Sequence, residues 1–335
     1  MTMMIRPVLA GLLAASTLIA APSAVTAQEA FPSHARDGRP LIIAHRGGAQ
    51  LQPENTLIAF QNALDLGADG VETDVLLTKD GQLVLNHDFT LDADLARGPD
   101  QQWNAPQTPI RAMTLAEIRR YDVGRPDPAS DYAAQHPDLE AHDDVPVPLL
   151  GELLALMAQH DDDSELWLEI KSAPIMGAAS SDPQVMAQAV AQALAEADFA
   201  SRTKVLSFDW NVLRALHAIA PDLRLVYLSY DIERAARLHP ESFPVPADTI
   251  MQAMTGRESF QEGGIVPTIA AEGAFGWDAA YADFTPQDIT AAREAGLEVG
   301  AWTVDDPGTA RLLYNIGVDA ITTDRPDLMV AEFAD

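Results

Sequence analysis

Not one of the 335 residues is cysteine. The chain therefore has no disulfide, no thiolate nucleophile and no cysteine-linked lipid anchor. In an oxidising compartment it must rest on its core alone, and a chain of this length with 47% hydrophobic residues can supply one. Cations are also scarce: 21 Lys and Arg stand against 50 Asp and Glu, a formal net charge of −29. A nucleic-acid backbone calls for a basic patch, so nucleic acid is not an expected partner. The same balance repels an anionic substrate unless a bound cation or local Arg and Lys offset it. No internal repeat or low-complexity tract is present. The long apolar run from Val8 to Ala21 falls short of the roughly 20 residues that span a bilayer. It follows Arg6 and leads to the small-x-small site Val25-Thr26-Ala27, which predicts a cleaved signal peptide over 1–27. Export to the periplasm or the medium is expected, without stable membrane insertion.

Beyond residue 40, short apolar runs alternate with longer helical patterns. Segments 41–45, 70–78, 82–87, 166–171, 204–207, 223–228, 297–304 and 319–322 read as strands. Helical patterns at 149–160, 183–197, 209–220, 286–295 and 306–316 lie between or beside them. Thr56 can cap a further helix with Leu57, Phe60 and Leu64 on one face. Such alternation implies a parallel sheet with helices outside, and eight strands in a chain of this size favour closure. No G-x-G-x-x-G follows the first strand, which argues against a dinucleotide fold. The expected fold is an α/β, TIM-like (β/α)8 barrel over 28–335, with a small proline-rich insertion at 89–148 after the third strand. A second irregular stretch, 239–284, is expected to form a lip over the pocket.

Barrel chemistry gathers at the C-terminal ends of strands, and the charged residues fall there. In Val71-Glu72-Thr73-Asp74-Val75, positions i and i+2 share a face, so Glu72 and Asp74 project together into the barrel. Two ionised carboxylates in a low-dielectric interior need compensation, and a divalent cation with oxygen ligands is the simplest kind. Glu169 and Lys171 share a face in the same way. Glu169 could add a third oxygen and Lys171 could face a phosphate; an ion pair on an exposed edge is the alternative, which a closed barrel disfavours. His45 and His87 are the histidines at strand ends. They suit a general base and a general acid, imidazole titrating near neutral pH, or else zinc ligands. Arg46 could clamp a phosphate oxygen or pair with an acid across the mouth.

Taken in order, these segments resemble the glycerophosphodiester phosphodiesterase family. The resemblance is carried by His45-Arg46-Gly47-Gly48, Pro53-Glu54-Asn55-Thr56, Gly67-Ala68-Asp69-Gly70-Val71-Glu72-Thr73-Asp74-Val75 and His87-Asp88. It continues through Leu168-Glu169-Ile170-Lys171, Ala301-Trp302-Thr303-Val304 and Gly317-Val318-Asp319-Ala320-Ile321-Thr322-Thr323-Asp324-Arg325-Pro326. It implies hydrolysis of small-molecule glycerophosphodiesters to glycerol 3-phosphate and an alcohol, with a divalent metal on Glu72, Asp74 and Glu169. Calcium is the first expectation for that metal and magnesium the second. The resemblance further implies His45 and His87 as the acid–base pair, and Arg46 and Lys171 on the phosphate. Trp302 would lie beside the glycerol and Glu54 would orient the site. Two other classes fit the same residues less well. A phospholipid-cleaving barrel would meet a membrane, which this acidic chain without a basic amphipathic helix does not favour. A non-catalytic binding protein on the same fold would be expected to lack a histidine or a metal acid, and none of the matched positions is lost.

Overall fold

The strands form where apolar residues cluster, unbroken in Leu41–Ala44 and interrupted by charged residues in Gly70–Leu77 and Glu165–Ile170. In a computed structural model of the chain, residues 38–103, 105–160, 163–238 and 245–334 are described. All fall within one unit, Ser33–Asp335. The expected leader over 1–27 lies outside the described residues. Nine strands are present among them: β1 Leu41–Ala44, β2 Gly70–Leu77, β3 Leu83–Leu85, β4 Glu165–Ile170, β5 Thr203–Ser207, β6 Arg224–Ser229, β7 Gly276–Ala280, β8 Glu298–Trp302 and β9 Ala320–Thr323. Eight of them pair in parallel in the order β1-β9-β8-β7-β6-β5-β4-β2. The β1–β2 pairing then closes the ring.

The expected barrel is therefore present, with two strand assignments corrected. Segment 82–87 is no barrel stave. Its core, β3, runs antiparallel to β2 in the register Val75↔Leu85, Leu76↔Val84 and Leu77↔Leu83, as the outer arm of a hairpin. Thr78-Lys79-Asp80-Gly81 is too short for a parallel crossover, which needs a dozen or more residues. The missing stave is β7, which lies inside the stretch expected to be only a lip. Its sequence, Gly-Trp-Asp-Ala-Ala, has no β-branched residue and no clear alternation. It is paired in place on both sides by β6 and β8.

Helices wrap the ring. Thr56 caps Leu57–Asp65 by accepting from Ala59 N–H at 3.2 Å. Pro183–Glu196, Trp210–Ile219, Pro286–Glu294 and Pro307–Asn315 follow the sequence expectation. Val71, Val75, Leu168, Ile170 and Val299 turn outward into the main apolar core under these helices. Alternate residues turn inward. Low in the barrel, Lys204 Nζ lies 2.8 Å from Glu165 and 2.7 Å from Glu298, over the ring of Trp167. An apolar layer including Leu41, Ile43, Leu206 and Val226 shares this interior. The insertion has a small core of its own, in which Leu91, Ile110, Met113 and Ile118 pack on Leu76 and Val84 of the hairpin.

Candidate active site

The chain leaves β1 through a single turn, His45–Gly47. Arg46 there has φ +49°, and Gly47 and Gly48 have φ +85° and +93°. A Cβ on Gly47 would stand 2.7 Å from Ala59 Cβ, so only glycine lets this turn lie on the following helix. The turn aims the Arg46 backbone N–H at Glu72 Oε2, 2.9 Å away. A non-glycine residue held at positive φ is a local cost that the surrounding structure must over-determine, and such positions cluster at functional sites.

Glu72 and Asp74 enter from β2 and Glu169 from β4, where Asp74 and Glu169 are register partners. One carboxylate oxygen from each lies within 4.8 Å of the others, and all three residues are buried. Asn55, itself at φ +56°, donates to Asp74 Oδ2 at 3.0 Å and accepts from Thr73 Oγ1 at 2.7 Å. Lys171 Nζ bridges Asp74 and Glu169 at 3.0 and 2.8 Å. Arg46 donates to Glu54 Oε1 at 2.9 Å, and its Nε is 3.5 Å from Asp74. Glu54 also accepts from the Tyr132 hydroxyl at 2.9 Å and is not one of the three clustered acids.

The electrostatics show what the acids need. Burial opposes the ionised form of Asp74, but Lys171, His87, Arg46 and the Asn55 hydrogen bond outweigh it and hold its pKa well below the carboxylate range. Glu72 goes the other way: burial first, then the Asp74 charge, push it well above that range. Burial also raises Glu169, against the pull of Lys171. Two of three clustered carboxylates thus lack enough positive charge to ionise freely. A dication among three hard oxygen donors would supply it, so the residues present fit a calcium or magnesium ion better than a nitrogen- or sulfur-preferring metal.

His45 and His87 face this cluster from different supports. His45 Nδ1 is 2.7 Å from Asp324 Oδ1. Burial alone would raise the Asp324 pKa, but His45 and Arg46 hold it below its ordinary value. Asp324 is therefore an ionised acceptor for Nδ1–H, and in the neutral ring this leaves Nε2 to accept. Burial and Arg46 pull the His45 pKa down, while Asp324 and Glu72 bring it above its ordinary value. His87 does not end a barrel stave as expected. It follows β3, where the backward course of the hairpin returns the chain toward Asp74: Asn86 N–H donates to Asp74 O at 3.1 Å. Its Nδ1 lies 2.7 Å from Asp88.

A cavity of about 120 Å³ unites the set. His45, Arg46, Glu72, His87, Glu169 and Lys171 line it. Phe208, Asp278, Trp302 and Thr322 line it too, with Trp302 edge-on to Phe208 at 5.6 Å. Sequence reading assigned no role to Asp278 or Asp324. Asp324 was legible as an acid just after β9; Asp278 went unseen together with its strand. A second cavity, about 180 Å³, lies between barrel and insertion. It shares Arg46 and His87 with the first, and its walls include Glu54, Pro126, Tyr132 and Leu139.

The sequence profile of the Glycerophosphoryl diester phosphodiesterase family matches residues 45–328. A glycerophosphodiester phosphodiesterase of Caldanaerobacter subterraneus subsp. tengcongensis is 27% identical, over 87% of this chain and 96% of its own. A crystal structure of a candidate glycerophosphoryl diester phosphodiesterase from Silicibacter pomeroyi is 31% identical, with a TM-score of 0.77 over 90% of this chain and 95% of that one. An Oleispira antarctica phosphodiesterase, solved with the product sn-glycerol-3-phosphate, shares the fold with a TM-score of 0.64 at 23% identity, over 89% of this chain and 98% of that one.

Proposed function

The chain belongs to the glycerophosphoryl diester phosphodiesterase family, and from that membership we propose that it hydrolyses glycerophosphodiesters to glycerol 3-phosphate and an alcohol. The observation that carries the reading is a cluster of three buried carboxylates, two of which, Glu72 and Glu169, line one cavity with two histidines and two cations at the C-terminal mouth of the barrel. Glu72, Asp74 and Glu169 would hold the metal, calcium before magnesium. When bound, the ion polarises the phosphoryl group and offsets its developing charge. Arg46 and Lys171 hold the phosphate oxygens. With Nδ1 committed to Asp324, His45 offers Nε2 to the proton of the neighbouring glycerol hydroxyl as that oxygen attacks phosphorus. His87 gives a proton to the departing alcohol. Water then opens the cyclic phosphate with the histidine roles exchanged.

The test is direct. The purified protein should release choline from glycerophosphocholine and leave vesicles of intact phosphatidylcholine untouched. Turnover of the vesicles with none of the soluble diester would replace this reading with a membrane-acting phosphodiesterase.

The second cavity, beside His87, is where the departing alcohol would sit, with the insertion forming its outer wall. Leu139→Trp narrows it without touching any group placed in the chemistry. We expect the ranking of choline, ethanolamine and glycerol esters to change by about tenfold in kcat/KM, a barrier difference of about 1.4 kcal/mol. Equal loss on all three esters would remove the insertion from leaving-group selection.

A further inference from the structure

Of the four buried polar atoms without a hydrogen-bond partner on side chains that line the catalytic cavity, Arg46 Nε lies 3.5 Å from the Asp74 carboxylate; the other three form a set, Asp278 Oδ1, Trp302 Nε1 and Thr322 Oγ1. Buried polar groups are nearly always satisfied, and an unpaired one calls for an explanation. Asp278 is the sharpest case, at 1% exposure on a barrel strand. Its β8 register partner is Gly300, and a Cβ there would stand 2.7 Å from the Asp278 carboxyl. The fold thus gives up a side chain on the neighbouring strand to make room for an unpaired acid. The set combines a carboxyl, an indole N–H that can only donate, and a hydroxyl that can do either. That complement matches an alcohol, which accepts one hydrogen bond and donates another. The side chains beside it, Leu206, Phe208 and Leu228, are apolar and suit a carbon skeleton.

We infer that Asp278, with Trp302 and Thr322, recognises the free primary hydroxyl of the glycerol moiety and thereby restricts the enzyme to glycerophosphodiesters that have lost both acyl chains. The inference rests on the proposed reaction and adds a specificity residue to it. The secondary hydroxyl is taken up by attack on phosphorus, so the primary hydroxyl is the remaining donor. An acyl ester there would remove the donated hydrogen and leave the Asp278 carboxyl without its partner. The substrate must therefore be supplied by a reaction that completes the deacylation of a phospholipid. A site built to hydrogen-bond a hydroxyl rejects the analogue lacking it, because its own buried groups are left unpaired.

The experiment is calorimetric titration of the metal-loaded protein with glycerol 3-phosphate and with propane-1,2-diol 1-phosphate, which lacks only the primary hydroxyl. Wild type should bind the first at least about 30-fold more tightly. Asp278→Ala should bring the ratio to within about threefold, by losing affinity for the glycerol compound alone. The melting temperature of apo Asp278→Ala should equal or exceed that of wild type, since the unpaired acid is a liability to the fold. Metal content should be unchanged. An equal affinity of wild type for the two ligands would overturn the inference. So would a ratio kept in Asp278→Ala, a lower melting temperature, or a loss of metal, which would make Asp278 a structural or metal-holding group. Both ligands are phosphate monoesters and need no turnover, so the result stands apart from the outcome of the hydrolysis assay.

Discussion

Stripped of divalent metal by excess chelator, the protein is expected to stay folded and to lose at least about 10³-fold in turnover of glycerophosphocholine. A bound ion contributes several kcal/mol of charge stabilisation to phosphoryl transfer, and each 1.36 kcal/mol is about tenfold in rate. The expectation grows from the imbalance in the cluster. Glu72 and Glu169 both have raised pKa values because burial and a neighbouring acid outweigh the local cations. Glu72→Gln and Glu169→Gln should each reproduce the loss, and added metal should not rescue them at concentrations that restore stripped wild type. Calcium should restore more activity than magnesium. A ligand that binds only the native state stabilises it, so the melting temperature should rise as metal is added back. Full turnover after exhaustive chelation, with no metal found by elemental analysis, would refute the metal requirement.

Nearly as large an effect is expected at the histidines. His45→Ala and His87→Ala should each lose about 10² to 10⁴-fold in kcat while the proteins stay folded. Asp324→Asn offers a sharper test of the His45 assignment, because it keeps the shape and removes the charge that helps raise the His45 pKa. If His45 acts as the base in its neutral form, wild-type kcat/KM falls on the acid side as that imidazole takes up a proton. In Asp324→Asn the acid limb should move to lower pH, since the protonated ring has lost its anionic partner. The plateau should also drop, because the ring is no longer held with Nε2 free. A pH–rate profile of kcat/KM for both proteins reads the two effects separately. An unmoved acid limb, or near-wild-type turnover in His45→Ala at its pH optimum, would take the proton-transfer role away from His45.

Much of this site was legible because its logic is local. The two-residue period of a strand places Glu72 with Asp74 and Glu169 with Lys171, and their apolar neighbours mark the outward face. His45 follows an unbroken apolar run, so its place at a strand end needed no tertiary information. What escaped depends on partners distant in sequence. Strand β7 is Gly-Trp-Asp-Ala-Ala, in which only Trp277 favours a strand, and its neighbours on both sides set its state. Asp278 was lost with it. The direction of β3 was hidden because a short apolar run reads alike in parallel and antiparallel pairing. The count of eight staves was reached by two opposite errors, one hairpin arm too many and one true stave too few. Tyr132 was out of reach for a different reason: its hydroxyl meets Glu54 across 78 residues, through an insertion whose path only packing decides.

His45 and Asp324 are 279 residues apart and meet where β1 and β9 pair, Ala44 against Thr323. The acid cluster needs only β2 and β4, both finished by residue 170. A growing chain emerges N-terminal end first at about 5–20 residues per second, so the two halves of the site become available at different times. The three carboxylates lie on staves complete by residue 170, whereas the imidazole meets its partner only through the final stave. Turnover is then a report on ring closure, because His45 gains its carboxylate only when the last stave pairs with the first.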